Sequence, residues 1–474
     1  MKSPRRAALA SSGDGSVDLY ELRRKVYPRA VTGWFARWRW VMVWATQLVF
    51  YGLPWLTWNG RQAVLFDLES RRFFIFGLVL YPQDFIYLTG LLVISAMSLF
   101  LFTTIAGRLW CGYACPQTVY TEIFLWIERK IEGDRVKRMK LDKAPMSARK
   151  LGIKAAKHAV WILFALWTGF TFVGYFTPIR ELGGLVVTAS LGPWQTFWIL
   201  FYGFATYGNA GFMREQVCKY MCPYARFQGV MFDRDTLIIT YDAKRGEPRG
   251  SRSRKADPAM LGLGSCIDCG LCVEVCPTGI DIRNGLQIEC IGCAACIDAC
   301  DAVMGKMNYA PGLIRYDTEN GMEHGWSRRQ LWRRVLRPRV LVYATILLAA
   351  SIALVGHMAT RNPVKLDVIR DRGALAREVE DGMIENVYRL QIMNSSEESR
   401  SYVLSVSGLE TVFIDSDTEV EVGAAGNRLV PVRVRIQPGI GEPGTHTIYF
   451  GVTDRDNPDV SVSEKTTFYV PRPR

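Results

Sequence analysis

Histidine is scarce in this chain of 474 residues, which holds four: His158, His324, His357 and His446. A membrane haem b takes a His pair on facing helices. His158 falls at the inner start of one apolar stretch and His357 at the outer end of another, so the two cannot share one iron. His324 in a basic linker and His446 in the C-terminal part are expected on the solvated surface, with copper ligation a secondary role open to any imidazole. Cysteine is missing before Cys111 and after Cys300, which excludes a disulfide framework stapling an exported domain and implies thiols kept reduced. No G-x-G-x-x-G follows a strand-like run and no flavin motif is found, so NAD(P)H or flavin would belong to a partner. The formal charge of +13 comes without a nucleic-acid recognition motif, and the basic residues gather beside apolar stretches, which excludes a DNA or RNA reading. A cleavable signal is not expected, because the apolar run after Arg39 starts late and is long enough to remain as a span.

What the chain has is apolar surface: 49% hydrophobic residues and 14 Trp, more than one soluble domain of this size normally carries. Five stretches read as membrane spans, Trp38 to Trp58, Phe85 to Ile105, Ala159 to Tyr175, Trp194 to Tyr207 and Val340 to Met358. Short basic loops stay cytoplasmic. The arm with Arg5, Arg6, Arg23, Arg24, Lys25, Arg37 and Arg39, the loop from Arg129 to Lys157 and the segment from Arg214 to Arg339 are therefore expected inside. The connection 176–193 carries only Arg180, and the part after His357 is expected outside.

Eight cysteines repeat one spacing twice: Cys266, Cys269, Cys272 and Cys276, then Cys290, Cys293, Cys296 and Cys300. C-x-x-C-x-x-C-x-x-x-C is a ligand spacing for two cubane iron–sulfur clusters, whereas four-cysteine zinc sites, the alternative, usually pair short spacings across a longer loop. The segment resembles two-cluster ferredoxins, in which ligands cross over. That resemblance implies Cys266, Cys269, Cys272 and Cys300 for one cluster, and Cys290, Cys293, Cys296 and Cys276 for the other. Pro277 follows Cys276 as the bacterial pattern has it, while Asp301 follows Cys300 and departs from it.

The other four cysteines form two copies of C-x-x-x-C-P, Cys111 to Pro116 and Cys218 to Pro223, with Tyr113 and Tyr220 at the same offset. Helical i, i+4 spacing stacks two sulfurs on one face, and the proline is expected to end that helix, making each copy a two-thiolate claw. Pro82 and Phe85 are echoed by Pro193 and Phe197, which suggests a duplicated hairpin that brings the claws together. Four thiolates suit Cu(I) above all, and also zinc or a further cluster. The bland reading is four small buried apolar residues, and Met213 and Met221 are thioethers better read as packing.

The domain organisation expected is a basic arm over 1–37, a membrane domain over 38–230 and a ferredoxin-like α+β domain with linkers over 231–338. A fifth span over 339–360 and an all-β domain over 361–474 complete it. Residues 243–257 read as a turn-rich linker. Asn386 to Met393, Ser401 to Ser407, Leu429 to Ile436, Thr445 to Val452 and Ser461 to Val470 alternate apolar and polar residues as strands of an immunoglobulin-like sandwich, read as a docking module.

Duplicated C-x-x-x-C-P claws, a two-cluster segment, a last span and a β tail, in that order, resemble the cytochrome c oxidase accessory protein family called FixG, RdxA or CcoG. The run Leu109-Trp-Cys-Gly-Tyr-Ala-Cys-Pro-Gln-Thr is similar to that family in detail. The resemblance implies a multi-pass protein of the bacterial inner membrane, with cytoplasmic [4Fe-4S] clusters and a periplasmic tail. It also implies reduction of Cu(II) to Cu(I) for assembly of cbb3-type cytochrome c oxidase, with copper chaperones or oxidase assembly factors as partners. On this reading Cys111, Cys115, Cys218 and Cys222 are the catalytic, copper-binding residues. A quinol-linked conduit to a protein acceptor and a thiol or iron–sulfur redox sensor are the alternatives. The electron donor, cytosolic or quinol, and the choice between monomer and homodimer stay open.

Overall fold

The computed structural model describes residues 25–258, 260–371 and 376–472. Arg5, Arg6, Arg23 and Arg24 of the basic arm lie outside the described residues. The helices that carry the argument are α1 (Trp34–Gly52), α2 (Phe85–Ala106), α3 (Leu109–Tyr113), α4 (Pro116–Glu132), α5 (Ala148–Val173), α6 (Pro193–Thr206), α7 (Pro223–Met231), α8 (Ala295–Met307) and α9 (Pro338–Ala359). Two compact units are formed from discontinuous chain. The first holds the described residues up to Thr46 with Phe102–Ala165 and Phe204–Leu336, and the second holds Gln47–Leu101, Leu166–Gly203 and Arg337 onward.

Three helices among the described residues are long and apolar enough to cross a membrane: Pro82–Ala106, Ala148–Val173 and Pro338–Ala359. The five expected spans are thereby corrected to three. The stretch from Trp38 to Trp58 does not stay helical, because Asn59 and Gly60, both at positive φ, close a two-residue hairpin that pairs Trp58 with Arg61. Helix α1 ends at Gly52 and spends Arg37, Arg39 and Gln47 within its length. Helix α6 has only 14 residues before the backbone loosens into π-helical turns over Tyr207–Met213.

In the first unit, strands β4 (Ile238–Tyr241) and β5 (Ile314–Asp317) pair antiparallel and clasp the cysteine runs between them. The expected linker over 243–257 is folded onto that segment. Asp242 caps a helical turn, the Arg252 guanidinium donates to the carbonyls of Gly250, Gly264 and Cys266, and Arg245 donates to that of Pro311 at 3.0 Å.

The second unit contains a meander that alternation alone did not reveal, β1 (Val64–Asp67), β2 (Arg72–Ile75) and β3 (Leu78–Leu80). It also contains a sandwich of β6 (Val364–Arg370), β7 (Ile384–Asn394), β8 (Arg400–Ser407), β9 (Phe413–Ile414), β10 (Glu419–Val422), β11 (Asn427–Ile436), β12 (Gly444–Asp454) and β13 (Ser461–Val470). The sheet orders are β9-β11-β7-β6 and β10-β8-β12-β13, so the five runs read as strands are strands. Tyr388, Leu390, Ile392, Val432 and Val434 of one sheet share a core closed to solvent with Ile448, Phe450 and Phe468 of the other. Leu65, Phe74, Val79 and Tyr81 of the meander share a smaller core with Met393 and Ala425, and Asp84 at the head of α2 pairs with Lys365.

Candidate functional site: three clusters of thiols

Both cysteine runs adopt the same backbone. Asp268 and Gly270 in the first, and Gly292 and Ala294 in the second, all have positive φ, so the residues two and four places after the leading cysteine turn left-handed in each. Such turns aim successive amides inward, a nest suited to an anionic group, and two non-glycine residues accept the strain. The thiols sort as follows. Cys276, Cys290, Cys293 and Cys296 line one cavity, Cys272 lines it as well, and Ile239, Ile280, Ile282 and Ile291 wall it. Cys266 and Cys300 share a core with Val303, Met304 and Met307, and the charges closest to Cys300 include Cys272, Cys266 and Cys269. The last cysteine of each run therefore stands with the first three of the other.

Burial, reinforced by neighbouring sulfurs, pushes Cys272 up to about 11 and Cys290 and Cys300 up to about 12, and raises Cys293 and Cys296 too. A metal centre held by such thiols would displace their protons to solvent, which couples loading to folding. The donor set and the amide nests fit two cubane clusters. Asp301, where proline is usual, accepts the amide of Gly312 at 2.7 Å and ties down the loop after α8.

The four claw cysteines come together. The sulfurs that raise Cys218, after its burial, are Cys115, Cys111 and Cys222, and Cys218 is pushed up to about 12. Cys111 is raised to about 11 by burial, eased by Gln228, a fully buried side chain whose Nε2 lies 3.4 Å from Sγ. The local geometry corrects the expected helical claw. Each proline starts a helix rather than only ending one, with Pro116 and Pro223 at the first turns of α4 and α7. Cys115 and Cys222, forced extended by the proline that follows, sit at the N-caps, while Cys111 lies in α3 and Cys218 in a π-helical turn. Amides of Gln117 and Thr118 point at Cys115, a helix N-terminus aimed at a thiol.

The claws rest on the second cysteine run. Cys111 and Cys218 pack against Val275, Ile291, Cys293, Ala295 and Ala299. A Cβ on Gly112 would lie 2.8 Å from both Cα and N of Cys293, and a Cβ on Gly292 would lie 2.9 Å from the Arg108 carbonyl oxygen. Two glycines thus let α3 lie directly on the Cys290–Cys293 loop. The motif spacing did not reveal Arg108, a buried guanidinium that donates to the carbonyls of Ile288 and Ala225 and stands close to Cys111, Cys218 and Cys290. Nor did it reveal Asp298, whose carboxylate accepts the amides of Phe35 at 3.2 Å and Ala36 at 2.7 Å, capping α1 from within the second cysteine run.

Family models match in three places: a "4Fe-4S binding domain" over residues 88–133, a "4Fe-4S dicluster domain" over 213–319 and an "IG-like fold at C-terminal of FixG" over 354–471. The chain is 38% identical over 454 residues to "Nitrogen fixation protein FixG" of Rhizobium meliloti, covering 88% of this chain and 87% of that one. The chain belongs to the FixG family. Two further FixG relatives, the proteins RdxB and RdxA of Cereibacter sphaeroides, are each 39% identical, over 90% and 91% of this chain and 91% and 93% of theirs. A crystal structure of a FixG-related protein from Vibrio parahaemolyticus matches at 27% identity, covering 23% of this chain and 97% of that one with a TM-score of 0.21. This FixG-type chain is accordingly an iron–sulfur protein of the electron-transferring kind, with three helices able to span a membrane and an all-β C-terminal region.

The 4Fe-4S binding domain match over 88–133 contains only Cys111 and Cys115, and the two thiols that stand beside them come from Cys218 and Cys222. Each histidine has a local partner: His158 Nδ1 with Tyr207 Oη at 3.0 Å, His357 Nδ1 with Tyr87 Oη at 2.8 Å, His324 with the Asn320 carbonyl and His446 with that of Glu442.

Proposed function

We propose that the protein is a membrane-bound cupric reductase serving assembly of cbb3-type cytochrome c oxidase, with Cu(II) as substrate and Cys111, Cys115, Cys218 and Cys222 as the site where it is reduced and held as Cu(I). The observation that carries this reading is the convergence of four half-buried thiols beside the Cys290–Cys293 loop. Cys266, Cys269, Cys272 and Cys300 would hold one [4Fe-4S] cluster and Cys290, Cys293, Cys296 and Cys276 the other, and the chemistry such groups supply is one-electron storage. Cu(II) prefers nitrogen and oxygen donors and Cu(I) prefers sulfur, so the thiols favour the reduced ion and retain it. Arg108 offsets part of the charge that thiolates would accumulate there. The distribution of Lys and Arg supports a bacterial inner-membrane location with the thiol sites cytoplasmic and the sandwich periplasmic, and copper chaperones or oxidase assembly factors as partners.

The test uses anaerobically purified full-length protein, reduced, freed of reductant and titrated with a buffered Cu(II) complex while cluster oxidation is followed by EPR. Wild type is expected to give up one electron per Cu(II) and to keep the copper through gel filtration. Replacing all four claw cysteines by serine should leave the iron content intact and abolish both effects. Equal reduction and retention by that variant would place the copper site elsewhere.

A further inference from the structure

The first unit contains a cavity of about 520 Å³ that the thiol chemistry does not use, lined by His158, Trp161, Phe212 and Glu215 among others. It lies where α5 changes character, from Lys150, Lys154 and Lys157 to the apolar run that starts at Ala159, the level at which a membrane helix leaves water for lipid. Its size is that of a small-molecule site.

The cations that line it are already paired. Lys157 meets Glu132 at 3.0 Å, Lys154 and Lys25 meet Asp142 at 2.6 Å, and Arg214 meets Glu128 at 3.0 Å. A phosphate or carboxylate ligand would have to break these pairs, so the chemistry favours a neutral, planar, aromatic group. Phe212 lies nearly parallel to the His158 ring, 13° apart at 5.9 Å, and Trp161 meets the same imidazole edge-on. With Nδ1 fixed by Tyr207, Nε2 is the imidazole nitrogen left to meet a ligand hydroxyl. Glu215, a 7% exposed carboxylate that accepts from Gln216 Nε2 at 3.2 Å, is a second acceptor lining the cavity.

The cavity lining is continuous with the second claw. It runs through the π-helical turns of Tyr207–Met213 and Arg214, at φ 44°, to Cys218. Gln117, two residues after Cys115, clamps it by donating to the carbonyls of Asn209 at 3.0 Å and Arg214 at 3.1 Å.

We propose that this cavity binds the head group of a membrane quinol and is where electrons enter the protein. The two O–H bonds break, one proton passing to His158 Nε2 and one to the Glu215 carboxylate, and the quinol leaves as quinone. The two electrons are taken up singly by the protein's iron–sulfur clusters, the oxidant. Head-group binding stands alone, while the onward use of the electrons rests on the cupric-reductase reading.

Two measurements on the full-length protein in detergent or vesicles test it. An azido-quinone photolabel is expected to mark peptides from α5 or from residues 207–216, and to be displaced by unlabelled quinone. Anaerobic addition of a short-chain quinol should bleach the clusters, and His158→Gln should slow that bleaching by about a hundredfold, the scale of a lost general base. Dithionite reduction and Cu(II) reoxidation of His158→Gln should stay at wild-type rates, which shows that the variant is folded. Labelling elsewhere, or bleaching of His158→Gln at the wild-type rate, overturns the proposal. Copper reduction after dithionite without any quinol bleaching would sink this inference and leave the reductase standing. Quinol bleaching without copper reduction would do the reverse.

Discussion

Replacing Gly112 by alanine adds one carbon in the tightest place between the first claw and the second cysteine run. That Cβ would stand 2.8 Å from Cα and N of Cys293 and 2.9 Å from the Gly292 carbonyl carbon, all backbone atoms that no rotamer change can move. Ordinary carbon contacts lie near 3.5–4.0 Å, so α3 must withdraw by about 0.7 Å or more. Overpacking of this kind costs about 1–3 kcal/mol, against up to about 1 kcal/mol that alanine returns by its helical preference, leaving a net loss between about 0 and 3 kcal/mol. The matched control is Gly152→Ala in α5, where the added carbon meets nothing within 4 Å and the same helical preference acts alone. Tryptophan fluorescence in anaerobic thermal melts should put Gly112→Ala below wild type and Gly152→Ala level with it or slightly above. Cu(II)-driven cluster oxidation should slow in Gly112→Ala only. A Gly112→Ala protein as stable and as fast as wild type would refute the direct seating of the claw on that loop.

Removing the carboxylate of Asp298 should loosen α1 from the cysteine segment by about 1–2 kcal/mol. Asp298→Asn, which keeps an acceptor oxygen, should lose much less than Asp298→Ala, read by protease protection of the α1 entry. Glu128 is buried between Arg138 and Arg214, each 3.0 Å away, and Glu128→Gln would strand both guanidiniums at a cost of about 3–5 kcal/mol in melting experiments. Burial works to raise that carboxyl, but Arg214, Arg138 and Lys157 outweigh it and hold it below its ordinary 4.5. Its contribution is therefore complete above pH 4.5 and is lost as the pH falls through the lower folded value, so the variant's deficit against wild type should shrink in acid. Arg108→Gln would leave the Ile288 and Ala225 carbonyls short of a donor, at about 1–3 kcal/mol, and iron retention under chelator challenge should fall with it.

What the sequence made legible is what chemistry or periodicity fixes locally. A cubane dictates the spacing of its thiols, so both cysteine runs could be read from the residues alone. Alternation of period two found five sandwich strands, because one face of each is closed in the core around Tyr388 and Phe450. The first span was overextended because Val, Trp and Phe were weighed as apolar while the Asn59-Gly60 turn was not. The prolines after Cys115 and Cys222 were read as stops, although proline is equally at home in a first helical turn. Arg108, Asp298, Gly112 and the His158 cavity depend on contacts between segments far apart in sequence, and no local pattern announces such pairs.

The claws consist of Cys111, Cys115, Cys218 and Cys222, whereas both other thiol groups are incomplete until the second run has been made, the one with Cys266 ending only at Cys300. At about 5–20 residues per second, a ribosome takes about 4–16 s to pass from residue 222 to residue 300. The claw thiols are therefore all present on the nascent chain before either neighbouring group is complete. On the cupric-reductase reading, they are open in that interval to whichever thiophilic ion the cell offers first, without the Cys290–Cys293 loop on which they later rest. The same reading makes faithful metallation a question of timing during synthesis as much as of affinity in the finished protein.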